Sequence, residues 1–232
     1  MPEGSRLRAP YHPTRVASNE HAPRLTQRWR VDVEVAALLA GVFFGLVAQV
    51  LRQIVGPLMD IGAATAPWVT LGFAIAVWAT RKSGSLRDRS KLGIGVMALY
   101  LFAWLLAYHA LFAVREAVGF GAAWREAAPW LVLAGPACVL LGVVAALSHR
   151  PGLLGDVCLA APIAWSVPEI IKSWQGWSAG ETVAVAIAVL AFLPLVVAAR
   201  RDVRLTRVAF ASVLLGGVAL ALAPILLSQV HS

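Results

Sequence analysis

Charge is scarce in this chain. Only 14% of its 232 residues are Asp, Glu, Lys or Arg, against roughly 25% in soluble domains, and the mean hydropathy is +0.75. A freely soluble globular fold is excluded on those grounds before any motif is read. Cysteine is nearly absent. Cys138 and Cys158 both lie in apolar segments, which excludes a disulfide framework and reads as two small buried hydrophobes. Lysine is rarer still, with 3 Lys beside 17 Arg, a bias that fits GC-rich coding. Missing too are a Walker loop, HExxH, GxSxG and CxxC, so the usual soluble-enzyme chemistries have no signature here. No metal-ligand spacing is present, and nothing in the chain calls for a cofactor.

What the chain has in quantity is apolar length. Seven segments stand near Val33–Ile54, Ala63–Thr80, Leu92–Val114, Ala128–Ser148, Leu153–Ile171, Thr182–Ala199 and Val208–Val230. Each reaches the ~20 residues that cross a hydrocarbon core at about 1.5 Å per residue. The expected fold is an all-α polytopic membrane bundle of about seven helices over 32–232. Residues 1–31 hold six arginines, four prolines and no apolar period. They read as a disordered basic tail and not as a signal peptide.

The net charge of +8 follows the membrane and not nucleic acid. With the N-terminus inside, sixteen of the 20 basic residues fall on the inner side: the tail, Arg81–Lys91, Arg150 and Arg200–Arg207. Arg52, Arg115, Arg125 and Lys172 remain outside. That bias predicts a bacterial cytoplasmic membrane protein with its N-terminus inside and C-terminus outside. Its expected partners are the lipid bilayer and either another membrane protein or a second copy of itself. Ala66-Pro67-Trp68 and Ala128-Pro129-Trp130 are read as openings of two segments, with proline in a first turn and tryptophan at the interface.

Polar residues inside the segments mark the candidate sites. Gly41, Gly45, Gln49, Arg52 and Gly56 recur at three- or four-residue spacing. That makes one helix face of small and polar groups, either a packing seam built on Gly41 and Gly45 or a polar cavity wall with Gln49 and Arg52. Tyr100, Trp104 and Tyr108 form an aromatic stripe beside His109, read as packing or interface anchoring. Gly135-Pro136 predicts a kink whose freed carbonyl needs protein around it.

The richest stretch is Ala160–Trp174, with Pro162, Trp165, Ser166, Pro168, Glu169 and Lys172. Trp165, Glu169 and Lys172 share a helical face. With the segment centred near Ile163, Glu169 lies about 9 Å outward, roughly 6 Å inside the hydrocarbon edge. A carboxylate there needs a partner, and Lys172 and Ser166 are within reach. The stretch reads either as an ion pair locking a helix end or as a polar site for a cation, a proton or a lipid head group.

The order of these features resembles a family of actinobacterial multi-pass membrane proteins, a domain of unknown function of about this length. The likeness rests on Ala40-Gly41, Gly45 and Gln49, on Ala66-Pro67-Trp68, on Ala134-Gly135-Pro136 with Leu141-Gly142, and on Glu169. It spans roughly residues 36–172 and implies fold and location. Ser85–Ser90 carries a fainter similarity to small seven-helix membrane terpene cyclases. Two functions are therefore expected. One is a non-enzymatic membrane protein, carrier-like or a subunit of an assembly. The other is an intramembrane enzyme on an isoprenoid or lipid, with Glu169 as acid and Asp60 as the nearest second acid by depth.

Overall fold

The computed structural model describes residues 22–54, 62 and 65–162, with side chains from position 28 onward. Within these residues every regular element is helical: α1 Ala22–Leu51, α2 Ala66–Thr80, α3 Leu86–Arg115, α4 Phe120–Leu147 and α5 Leu153–Pro162. Three of them, α1 from Arg28, α3 and α4, are long and apolar enough to cross a bilayer. This is the architecture of a membrane protein. The sixth and seventh segments, and the fifth beyond Pro162, lie outside the described residues, as do Asp60, Trp165, Ser166, Glu169 and Lys172.

Helix α3 is the central post, packed against α1, α2 and α4. Paired positions give the direction of each neighbour. Gly41 and Gly45 of α1 abut the backbone carbonyls of Tyr100 and Trp104, so α1 and α3 run parallel. Gly93 of α3 abuts Gly142 of α4, and Gly72 of α2 abuts the Tyr100 ring. The described helices therefore run up, down, up, down, and α1 and α4 each pack on α3. The two glycine pairings explain the closeness. Cβ atoms at Gly45 or Gly142 would drive into the facing backbone, so small residues let the helices approach where bilayer lipid supplies no hydrophobic push between them. Gly41 and Gly45 thus lie where α1 meets α3, against the backbone of Tyr100 and Trp104 in the aromatic stripe.

The core lies between these helices. Val33, Ala37, Phe73, Val77, Val96, Met97, Tyr100, Leu141 and Leu159 are buried together, and a smaller cluster of Ala48, Trp68, Trp104, Leu105 and Ala134 sits towards the Arg52 end. The opposite surface is apolar as well, with Leu39 (62% exposed), Phe43 (60%), Val132 (75%) and Leu133 (60%) turned outward. Such side chains would be costly in water and are at home in lipid.

Helix limits depart from the apolar segments for local reasons. α1 starts at Ala22, inside the stretch read as tail. Its first turns are held by the Arg30–Glu34 pair (2.8 Å), by Trp29 against Trp78 (5.0 Å between centroids), and by Lys82 Nζ 3.8 Å from the centre of the Trp29 ring. Ser85 caps α3, its hydroxyl accepting from the Asp88 amide at 3.1 Å, which carries the helix below its apolar portion. Pro67 falls in the first turn of α2 as expected. Pro129 does not open a helix: α4 begins at Phe120, and Pro129 lies in its interior with Pro136. The reason is that Phe120–Ala128, polar only at Arg125 and Glu126, propagates as helix once Gly119 caps it. Pro136 is also exposed, while Ala134 and Cys138 on the α3 side are buried. Among the described residues, Pro136 does not face protein, where the sequence had asked for protein around it.

Candidate functional site

At the end of the bundle where α1 and α3 finish and α4 begins, the helices leave a cavity of about 240 Å³. α1 brings Arg52. α3 brings Trp104, Leu105, Tyr108 and His109. α4 brings Glu126 and Trp130, and Gly62 and Thr65 close the side before α2. Gly62 sits against the backbone of Ala48 and Arg52, where only a residue without a side chain fits. The short α3–α4 connection fixes the rest. Gly93 faces Gly142, so residues equally far from the turn are level with one another, and His109 comes level with Glu126.

The polar groups divide into tied and untied. Arg52 Nη1 donates to the Tyr108 hydroxyl at 2.6 Å, and its guanidinium carbon lies 6.0 Å from the centres of the Tyr108 and Phe112 rings. Gln53 Nε2 donates to Glu116 Oε1 at 3.3 Å, a second tie between the ends of α1 and α3. By contrast, Trp104 Nε1 and His109 Nδ1 have no hydrogen-bond partner among the described residues, although each residue is only 7% exposed. Both line the cavity. Glu126 and Arg52 both stand near enough to His109 to act on its ring by charge. An unsatisfied buried polar group costs about 1–3 kcal/mol, so a cavity edged by the Trp104 donor, the His109 ring nitrogen and two opposite charges is suited to something polar.

Of the candidate polar-site residues Glu169, Lys172, Ser166, Trp165, Gln49 and Arg52, the structure brings Arg52 to this cavity. Gln49 is fully buried on α1, one turn deeper, with its Oε1 unpartnered among the described residues, and it does not line the cavity. Glu169, Lys172, Ser166 and Trp165 lie outside the described residues. Tyr108, Trp104, His109 and Trp130 were visible as anchors, and Glu126 carried no signal of its own. The signal that finds it is geometric: reflecting α3 about the short turn near Ala117 sets Glu126 opposite His109.

Two other polar features are accounted for. At the far end, His149 Nε2 lies 3.0 Å from both Thr80 Oγ1 and the Val77 carbonyl. Because that carbonyl only accepts, the Nε2 proton is donated there, and the contact latches α2 to the α4–α5 turn. A broad depression of about 1140 Å³ beside it mixes Arg28, Arg30 and Lys82 with Asp32, Glu34 and Asp88. Several of these already hold one another, through Arg30–Glu34 and Ser85–Asp88 (2.6 Å). No group of three or more His, Cys, Asp or Glu suited to a metal ion occurs among the described residues. Comparison with protein-family models, with curated proteins and with solved structures returns no match.

Proposed function

We propose that this chain is a small carrier-like protein of the bacterial cytoplasmic membrane whose cavity at the Arg52 end binds a small polar solute. The single observation that carries the reading is the pairing of two buried, unpartnered side-chain nitrogens, Trp104 Nε1 and His109 Nδ1, with the charged groups Arg52 and Glu126 around one cavity. Buried polar groups inside a membrane bundle mark a pathway or a ligand more often than a scaffold. The sixteen-to-four distribution of basic residues supports an orientation in which this cavity opens to the exterior and the N-terminus lies inside. The site then stands where a solute arrives. The resemblance to actinobacterial multi-pass membrane proteins agrees with that location.

The test compares cells carrying the wild-type protein, an Arg52→Gln variant at equal membrane level, and the empty host. Intracellular pools of small polar solutes are profiled after growth in a defined medium. A pool that rises or falls with the wild type alone is the expected result. Indistinguishable profiles across all three strains would end the carrier reading.

A further inference from the structure

We infer that the cavity takes a small zwitterion, its ammonium group held by Glu126 and the aromatic faces and its anionic group by Arg52. The inference rests on the solute-site reading and adds the class of ligand. Its basis is the placement of charge. Arg52 comes from α1 and Glu126 from α4, both lining the one cavity, and these two helices each pack on α3. Among the described residues no ion pair joins the two groups, so the cavity keeps one positive and one negative lining group. A simple anion entering this space would meet the Glu126 carboxylate, and a simple cation would meet the Arg52 guanidinium. A molecule carrying both signs satisfies both groups.

The uncharged lining agrees. Trp104 and Trp130 present aromatic surface around the cavity, and aromatic faces beside an acid are the usual way proteins hold alkylated ammonium groups. Trp104 Nε1 can only donate and is buried without an acceptor among the described residues, so it adds a second donor to that of Arg52 for an anionic oxygen. A volume of about 240 Å³ lies below the roughly 300–1,000 Å³ of sites for drug-sized ligands. That suits a molecule the size of an amino acid or a betaine. The same chemistry occurs free in solution and in the head group of phosphatidylcholine, and the experiment separates the two.

Purified protein is placed in nanodiscs of phosphatidylglycerol alone, and thermal stability is measured with glycine betaine, glycerophosphocholine, choline and acetate. The expected result is a rise in melting temperature with either of the first two and none with choline or acetate at equal concentration. Glu126→Gln, an exposed position whose change leaves the fold alone, should weaken that binding at least tenfold, and so should Arg52→Lys, which keeps the charge but loses the planar fork. If only added phosphatidylcholine stabilises the protein, with the same dependence on Glu126 and Arg52, the ligand is a zwitterionic lipid head group. The inference then stands and the solute carrier falls. If choline binds as tightly as glycine betaine and survives Arg52→Gln, the ligand is a cation and the zwitterion is overturned, with the carrier reading untouched. No shift with any probe or lipid also overturns it.

Discussion

Substitution of Gly45 tests the seam on which the cavity depends. A Cβ at this position would run into the Trp104 carbonyl oxygen and lie 3.0 Å from the Ala107 Cβ and 3.1 Å from the Trp104 carbonyl carbon. The obstacle is backbone, which cannot rotate aside, so α1 and α3 must separate. Overpacking of this kind costs about 1–3 kcal/mol, and the better helix propensity of alanine returns up to about 1. Gly45→Ala should therefore lose roughly 1–2 kcal/mol. At about 2–4 °C per kcal/mol for a chain of this size, that is a fall of roughly 2–8 °C in melting temperature. Gly45→Leu should lose more. The matched control is Gly95 on α3, whose nearest neighbour is Glu34 Oε1 at an ordinary 4.0 Å. Gly95→Ala should be neutral or stabilising by up to about 1 kcal/mol. Nine tryptophans give an intrinsic signal for unfolding in detergent. If Gly45→Ala matches Gly95→Ala in stability, α1 and α3 are not held backbone to backbone, and the reasoning fails.

Other expected outcomes follow from single contacts. Tyr108→Phe removes the hydroxyl that orients Arg52 and keeps the ring. It should cost about 1 kcal/mol, below the ~1.5–3 of bonds to charged groups because Arg52 is half-buried, and thermal unfolding with and without glycine betaine reads both stability and binding. Thr80→Val keeps shape but loses the buried hydroxyl beside His149 and should cost about 0.5–1.5 kcal/mol; a second His149→Ala substitution on that background should then cost less than on the wild type, which a double-mutant cycle measures. A cysteine at Ser85, with Cys138 and Cys158 replaced by alanine, should react with an impermeant thiol reagent only after cells are opened, and efficient labelling of intact cells would invert the orientation.

The helical membrane class was legible because it rests on length and apolarity alone, and α1, α3 and α4 have both. Helix limits were less legible, for they depend on tertiary contacts that hydropathy does not see. Trp29 is part of a helix because it meets Trp78 and Lys82 across the bundle, not because its neighbours are apolar. Pro129 misled for the complementary reason. Alanine, glycine and phenylalanine before it propagate helix, and a proline within a membrane helix costs one backbone bond without ending the element. Gly41 and Gly45 were legible as a seam since small residues at four-residue spacing have one common use in membranes.

The site was harder to read because its parts come from three helices and none is polar in a run. Arg52 stood out alone. His109 looked like an ordinary interfacial residue, and Glu126 drew no reading, until the α3–α4 register set them level. The register itself was written in the chain, in the brevity of the 116–119 connection and the glycines at 93 and 142, and applying it needs the knowledge that both helices continue unbroken through those positions. That dependence bears on the chemistry too. Opposite charges one helical turn apart on the same face can pair with one another, as Arg30 does with Glu34 on α1. Arg52 and Glu126, on two helices that each pack on α3, form no such pair among the described residues. The guanidinium donates to a neutral hydroxyl at 2.6 Å, and the charge this leaves unpaired is what the proposed zwitterion would answer.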